Sequence, residues 1–458
     1  MFGYYSAADV QLPVRRRFLQ QTGLGFGSVA LASLLHEESR GQDGGVASGI
    51  PSAVPVDPLA LRPPHFPGRV RSIIWLFMTG GPSQVDTWDY KPELQARDGQ
   101  ELSGADPKTG FFTTSGKCLA SPFKWQQHGE SGTWVSDLFP RLSRHVDHMC
   151  FLHSMHLRQN NHAPASIELM CGTNRPGLPA LGAWMTWGLG SQNSNLPSCV
   201  VMHDTRPRGD DQIWSAGFLP KTYQAMALDA RRNEAIDNLQ RDSRRSELQQ
   251  RAQLDLLREL NQEYAVGRPT QGDLAARINS FELAYRMQMA APEALNLQAE
   301  TKETHSLYGL DQPECATFGR QCLLARRLVE RGVRFVQIFA GKGVGGDGSV
   351  NDVPWDCHSD VQTNHRSCGL HTDQPAAALL SDLESRGLLE STLVIWGGEF
   401  GRTSDSQGSR GRDHNPNGFT IWMAGAGVKG GFHYGARSEE HMAELQSPCN
   451  LVCRLLLE

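Results

Sequence analysis

The chain has 458 residues, 39% of them apolar and 20% charged, which suits a globular protein with a large core and excludes collagen-like, coiled-coil and wholly disordered classes. Its formal charge of −5 gives no electrostatic footprint for DNA or RNA, so nucleic-acid partners are set aside. The 47 glycines exceed the average usage of roughly 7% and point to many tight loops of the kind that shape sites in α/β proteins.

Residues 1–35 carry Arg15-Arg16-Arg17-Phe18-Leu19-Gln20 and then a weakly apolar run from Thr22 to Leu35 broken by Gly23, Gly25 and Gly27. This is the pattern of a twin-arginine export signal, with Ala30-Leu31-Ala32 as the cleavage site. The run is too short and too rich in glycine to anchor the chain across a bilayer. A periplasmic or extracellular location is therefore expected, and export of already folded protein hints at a metal inserted beforehand. Residues 36–68 hold Pro51, Pro55, Pro58, Pro63, Pro64 and Pro67, the composition of an extended linker. The domain is expected over 69–458.

Ser72 to Met78 is a continuous apolar run of strand length, closed by Thr79-Gly80-Gly81-Pro82, and reads as a buried strand of a parallel sheet. Further strands are predicted at Met149–His153, Pro197–Met202, Val333–Phe339, Thr392–Trp396 and Phe419–Met423, with helices over 136–147, 164–171, 316–331 and 373–387. Alternation of this kind predicts an α/β fold, a mostly parallel sheet covered by helices on both faces. The highly charged stretch within 229–300 reads as a helical insertion with solvated faces. Gly341 to Gly348 lacks the G-K-[ST] ending of a phosphate loop, so it reads as a plain loop. The ten cysteines form no C-x-x-C pair, which excludes a structural zinc knot.

Ligands of such sheets gather at the carboxyl ends of the strands, and three groups of residues fall there. Ser83, Asp86 and Asp89 follow the first strand and could supply a nucleophile or bind a cation. Asn160-Asn161-His162-Ala163-Pro164-Ala165-Ser166 opens a helix, whose free N–H groups can cradle an oxyanion. The strongest group is late: Trp355-Asp356-Cys357-His358, Gly397-Gly398-Glu399-Phe400-Gly401-Arg402-Thr403 and Gly411-Arg412-Asp413-His414. Alternate residues of an extended stretch point the same way, so Asp356 and His358 can reach one cation. With His414 they make a carboxylate and two imidazoles, a set that suits zinc, manganese or iron. Cys357 should face the other way and either pack or pair with another cysteine, Cys368 being the nearest in sequence.

These residues carry a resemblance. Gly80-Gly81-Pro82-Ser83 to Lys91-Pro92, Asn161-His162, Gly177 to Leu196, Trp214 to Pro220, Cys322 to Arg334, Glu399 to Thr403 and Gly411 to His414 resemble the secreted bacterial family known as domain of unknown function 1501, of alkaline phosphatase and sulfatase superfamily fold. The resemblance implies an alkaline phosphatase-like architecture, a pair of divalent metals and a nucleophile at a helix start. Carried over, Asp356, His358 and His414 are the ligands of one metal. Glu399 stands where an Asp-His pair is usual, and Asp86 or Asp89 substitutes for the ligand missing at Thr79. The cofactor is then a divalent metal, with zinc, manganese and calcium as the candidates. No C-x-P-x-R sequence occurs, so a formylglycine nucleophile is excluded, and Ser83, Ser166, His162 or a metal-bound hydroxide is left to attack. Arg402 and Arg412 would hold the anionic ester, because guanidinium matches phosphate or sulfate bidentately. The family is also expected to run well past Gly430-Gly431, so the end of this chain reads as shortened.

The implied function is metal-dependent hydrolysis of phosphate or sulfate esters, on a substrate such as a polysaccharide. The competing reading is a non-catalytic exported envelope or carbohydrate-binding protein that keeps the hydrolase fold. The export reading is testable by itself: changing Arg15 and Arg16 together to Lys is expected to leave the protein in the cytoplasm, and unchanged export of the double variant in cell fractionation would contradict it.

Overall fold

A computed structural model describes residues 57–101, 111, 116–203, 207–229, 239, 244, 246–265, 272–340 and 353–435. The proposed export signal, the linker up to residue 56, the glycine-rich loop over 341–348 and the tail beyond 435 lie outside the described residues. β1 (Ser72–Met78) carries bulky apolar side chains at consecutive positions because both of its faces are covered. Ile74, Leu76 and Met78 enter one core while Trp75 and Phe77 enter the other, the alternation that a pleated strand imposes.

Two short helices, α1 (Gln84–Thr87) and α2 (Pro92–Ala96), follow β1 and lead to a hairpin of β2 (Trp125–His128) and β3 (Thr133–Ser136). Next come β4 (Met149–Met155), α3 (His162–Cys171), α4 (Leu181–Leu189), β5 (Cys199–His203) and β6 (Met226–Leu228). The charged stretch forms α5 (Glu247–Ala265) and α6 (Gly272–Leu295), followed by α7 (Lys302–Leu307), α8 (Ala316–Glu330) and β7 (Phe335–Ala340). Then come α9 (Val361–Ser385), β8 (Thr392–Gly397), the two-residue strands β9 (Gly401–Arg402) and β10 (His414–Asn415), β11 (Phe419–Ala424) and β12 (Phe432–Tyr434). Among the described residues no helix is long and apolar enough to cross a membrane.

Eight strands form the main sheet in the order β12-β4-β11-β8-β1-β7-β5-β6. β11 runs antiparallel to β4 and β8, and the other pairs are parallel. The sheet is therefore mostly parallel, with α8 and α9 contributing Phe318, Cys322, Leu379 and Leu383 to the core on one face and α3 contributing Ile167 and Met170 to the core on the other. Because β1, β4, β7 and β8 point the same way, their carboxyl ends share one rim with the start of β11, and the segments that follow them meet there.

Two stretches depart from the sequence reading. The helix expected over 136–147 is instead the end of β3 followed by a short 3-10 turn at Leu142–His148. Pro140 removes a backbone donor within that stretch, and the Asp373 carboxylate of α9 accepts hydrogen bonds from the backbone N–H groups of Arg141 and Leu142, at 3.0 and 2.9 Å. α9 starts at Val361 rather than 373, with the Asp360 side chain capping the N–H of Thr363 at 3.1 Å and Pro375 accommodated inside the helix. The end of the expected linker is packed: Arg62 N–H donates to Leu189 and Ser191 N–H to Leu59.

At the rim, Gly80 has a φ of +106°, and a Cβ there would lie 2.6 Å from the backbone nitrogen of Asp356. Only glycine lets β1 end this close to the segment bearing the late motif. Beneath the rim Trp88 stacks on Phe139 with ring centroids 4.6 Å apart and meets Trp396 edge-on at 5.9 Å. Trp88→Ala is expected to cost about 3–5 kcal/mol, as large cavities in packed cores do, whereas Phe66→Ala on the exposed surface should change stability by no more than ~0.5 kcal/mol. Denaturant unfolding of the two variants checks the difference.

Candidate metal centre

Four elements at the rim deliver polar side chains to one point. α3 begins with His162, the segment between β7 and α9 provides Asp356 and His358, β9 provides Arg402 and β10 provides His414. β9 and β10 pair in the register His414 opposite Arg402, which brings two motifs far apart along the rim loop side by side. Asp356 is the meeting point. Its Oδ1 lies 2.8 Å from His358 Nε2, 3.2 Å from His414 Nε2 and 2.9 Å from Arg402 Nη2. Its Oδ2 lies 3.3 Å from His162 Nε2.

The electrostatics follow from this crowding. Burial by itself would raise the Asp356 carboxyl, but Arg402 and the three imidazoles outweigh it and hold the group well below the usual carboxylate range. Burial, then the Arg402 charge, push His414 down to about 3. His162 moves the opposite way: burial opposes its charge, yet Asp356 and Glu399 together raise it above the ordinary imidazole value. Each ring also has an oxygen behind it. His162 Nδ1 lies 2.6 Å from Glu399 Oε1, His414 Nδ1 2.6 Å from the Asn160 carbonyl, and His358 Nδ1 bonds Gln407 Oε1. Phe400 packs its ring against His162 and His414, at centroid distances of 4.9 and 4.5 Å.

The donors are those of a cation site. Ligating atoms of His162, Asp356 and His414 lie within 4.8 Å of one another, as do those of His358, Asp413 and His414. His358 Nε2 and His414 Nε2 are 3.0 Å apart. The carbonyl behind His414 can only accept, so the ring proton sits on Nδ1 and a lone pair on Nε2 points into the cluster. Thr79 Oγ1, buried beside these segments, makes no hydrogen bond. A set of imidazole nitrogens around a carboxylate fits a bound divalent ion.

Other expected site residues lie elsewhere. Asp86 is fully buried and faces Arg412, its oxygens 2.7 Å from Nε and 3.2 Å from Nη2. The remaining Arg412 donors go to the carbonyls of Thr403, Ser404 and Leu119, so Arg412 neutralises Asp86 and is not open to an ester. A guanidinium enclosed by the fold needs a carboxylate partner. Arg402 is also fully buried, donating from Nε to the Gly81 carbonyl and from Nη2 to that of Gly80, and it touches the centre only through Asp356. Ser83 is buried, with Oγ 2.5 Å from Asp86 Oδ2 and its N–H donating to His365 Nε2. Ser166 is buried in the second turn of α3. Asp89 pairs with Lys91 at 2.9 Å. Glu399 is buried behind His162 and accepts from the N–H of Gly80 at 2.9 Å. Cys357 and Cys368 are free, buried thiols, and burial pushes Cys357 up to about 12. Gln407 and the Asn160 carbonyl were not expected from sequence: the first lies between two motifs, and the second is a backbone atom with no residue signature.

The family profile described as Protein of unknown function (DUF1501) matches residues 70–451. Among solved structures, alkaline phosphatase from the Antarctic bacterium TAB5 is similar at 9% identity and a TM-score of 0.32, over 85% of this chain and 98% of that one. A mutant of that enzyme with Mg bound in its M3 site gives 11% identity and a TM-score of 0.33 over the same shares. Lipoteichoic acid synthase LtaP from Listeria monocytogenes gives 9% and 0.32, over 84% of this chain and 71% of that one. No curated protein matches significantly. With the profile spanning most of its length, the chain belongs to the DUF1501 family.

Proposed function

We propose that the Asp356 centre holds a divalent cation and that the protein is an exported hydrolase of phosphate or sulfate esters, including those of a polysaccharide. The observation that carries the reading is the approach of His358 Nε2 and His414 Nε2 to 3.0 Å of each other beside one oxygen of Asp356. Imidazole nitrogens and a carboxylate oxygen gathered in this way form a donor set for a cation. Imidazole-rich sets suit zinc, manganese or iron, and suit calcium, which takes oxygen ligands, less well. Asp356, His358 and His414 would hold the ion. Bound there, it would polarise the ester and make a water nucleophilic near neutral pH.

The protein's own groups supply the rest. Arg402 keeps Asp356 ionised from a position with no access to solvent. His162, held between Glu399 and Asp356, retains a proton more readily than a free imidazole and offers it from Nε2 to the departing alcohol oxygen. The first turn of α3 adds backbone N–H groups and the positive end of its dipole beside that proton. Ser83 and Ser166, both buried, take no part in attack.

One observation favours a second reading, a non-catalytic exported envelope or carbohydrate-binding protein that keeps the hydrolase fold: Thr79, Ser83, Ser166 and Cys357 are all buried, so none of these hydroxyls or thiols is presented as a nucleophile. Elemental analysis joined to a panel of phosphate and sulfate esters tests both. Wild type is expected to retain about one divalent ion per chain and Asp356→Ala or His414→Ala to lose it, while His162→Ala keeps the ion and loses about 10²-fold or more in hydrolysis. A wild type inert on every ester, loaded or metal-free, favours the second reading, and a metal-free wild type removes the first.

A further inference from the structure

We infer that Gln407 is a positioning residue that selects the tautomer of His358 and so sets how tightly the centre holds its cation; the inference rests on the reading of the Asp356 cluster as a cation site. A neutral imidazole carries one proton on two nitrogens, and only the bare nitrogen can ligate. Behind His414 stands a backbone carbonyl and behind His162 a carboxylate, groups that accept and cannot donate, so both fix a proton on Nδ1. The acceptor behind His358 is a side-chain amide, which is ambivalent. With Oε1 toward the ring, Nδ1 bears the proton and Nε2 is bare. With the amide reversed, its N–H₂ would donate to Nδ1 and the proton would move to Nε2.

The two states differ sharply in what the cluster can do. A bare His358 Nε2 stands 3.0 Å from His414 Nε2 and 2.8 Å from Asp356 Oδ1, a donor set open to a cation. A protonated His358 Nε2 would donate to Asp356 Oδ1 or to His414, and its proton would compete with the ion. The structure places the amide with Oε1 toward the ring.

The backbone explains why Gln407 is placed to choose. Gln407 and Gly411 exchange backbone hydrogen bonds of 2.8 and 3.1 Å across a tight turn. That turn is pressed onto the ligand segment, because Arg412 N–H donates to the Cys357 carbonyl at 2.9 Å and a Cβ at Gly411 would lie 2.0 Å from the His358 carbonyl oxygen. The amide therefore arrives from a rigid hairpin seated on the residue it orients.

The test uses the metal-stripped full chain, titrated calorimetrically with Zn²⁺ and with Mn²⁺, and ¹⁵N spectra of its histidines before any metal is added. Gln407→Leu, which has no acceptor, is expected to weaken binding about 10–100-fold, the usual effect of losing a partner behind a ligand, and to move the His358 proton toward Nε2. Gln407→Glu, which can only accept, is expected to bind at least as tightly as wild type with the proton on Nδ1. Matching thermal unfolding of the metal-free variants separates this from misfolding. Leu and Glu variants that both bind like wild type, or that weaken alike, overturn the inference while leaving the cation site standing. A wild type that binds neither ion overturns the site itself, and the inference with it.

Discussion

A carboxylate largely withdrawn from water must be surrounded by cations or donors, and the rim of this sheet is organised around meeting that requirement for Asp356. Four groups from four elements converge on its two oxygens: His162, His358, Arg402 and His414. The Asp356 segment could not lie here if the turn after β1 lacked glycine, since the Gly80 backbone passes the Asp356 nitrogen at a distance that admits no side chain. Gly80 also contributes directly, its N–H to Glu399 and its carbonyl to Arg402. The end of one central strand thus supports both the carboxylate behind His162 and the guanidinium beside Asp356.

The rim holds two charged clusters with opposite characters. The inner one, Asp86 with Arg412 and Ser83, is closed to solvent and saturated by carbonyls and a hydroxyl. Removing either charge would strand the other, so it acts as a clamp among the loops after β1 and β8. The outer one, around Asp356, gathers three imidazoles about one carboxylate and keeps partial contact with solvent at Asp356 and His358. This contrast separates the candidate chemistry from the scaffold.

Much of the architecture was legible because both faces of the sheet are covered. Runs such as Ser72 to Met78 and Thr392 to Gly397 are apolar at nearly every position, a pattern with few alternatives at strand length. The 136–147 stretch misled because its apolar spacing suits a helix, whereas Pro140 and the distant Asp373 cap decide its form. Asp356 and His358 were singled out by their alternation, and the structure places them in contact. Asp86 was not separable from them in sequence, since whether a carboxylate meets an arginine or a metal depends on the partner the fold brings, here Arg412 from 326 residues away. Gln407 and the Asn160 carbonyl carry no signature, because each only accepts a hydrogen bond from the far side of an imidazole.

The central claim is that one cation lies among Asp356, His358 and His414. Anomalous scattering from crystals of the purified protein, collected on both sides of the zinc and manganese edges, tests it most directly. The account predicts one peak in contact with an Asp356 carboxylate oxygen and with the Nε2 atoms of His358 and His414, the two imidazoles moved apart to admit it. Crystals grown with zinc and manganese that show no peak there, with the two nitrogens still 3.0 Å apart, would contradict it.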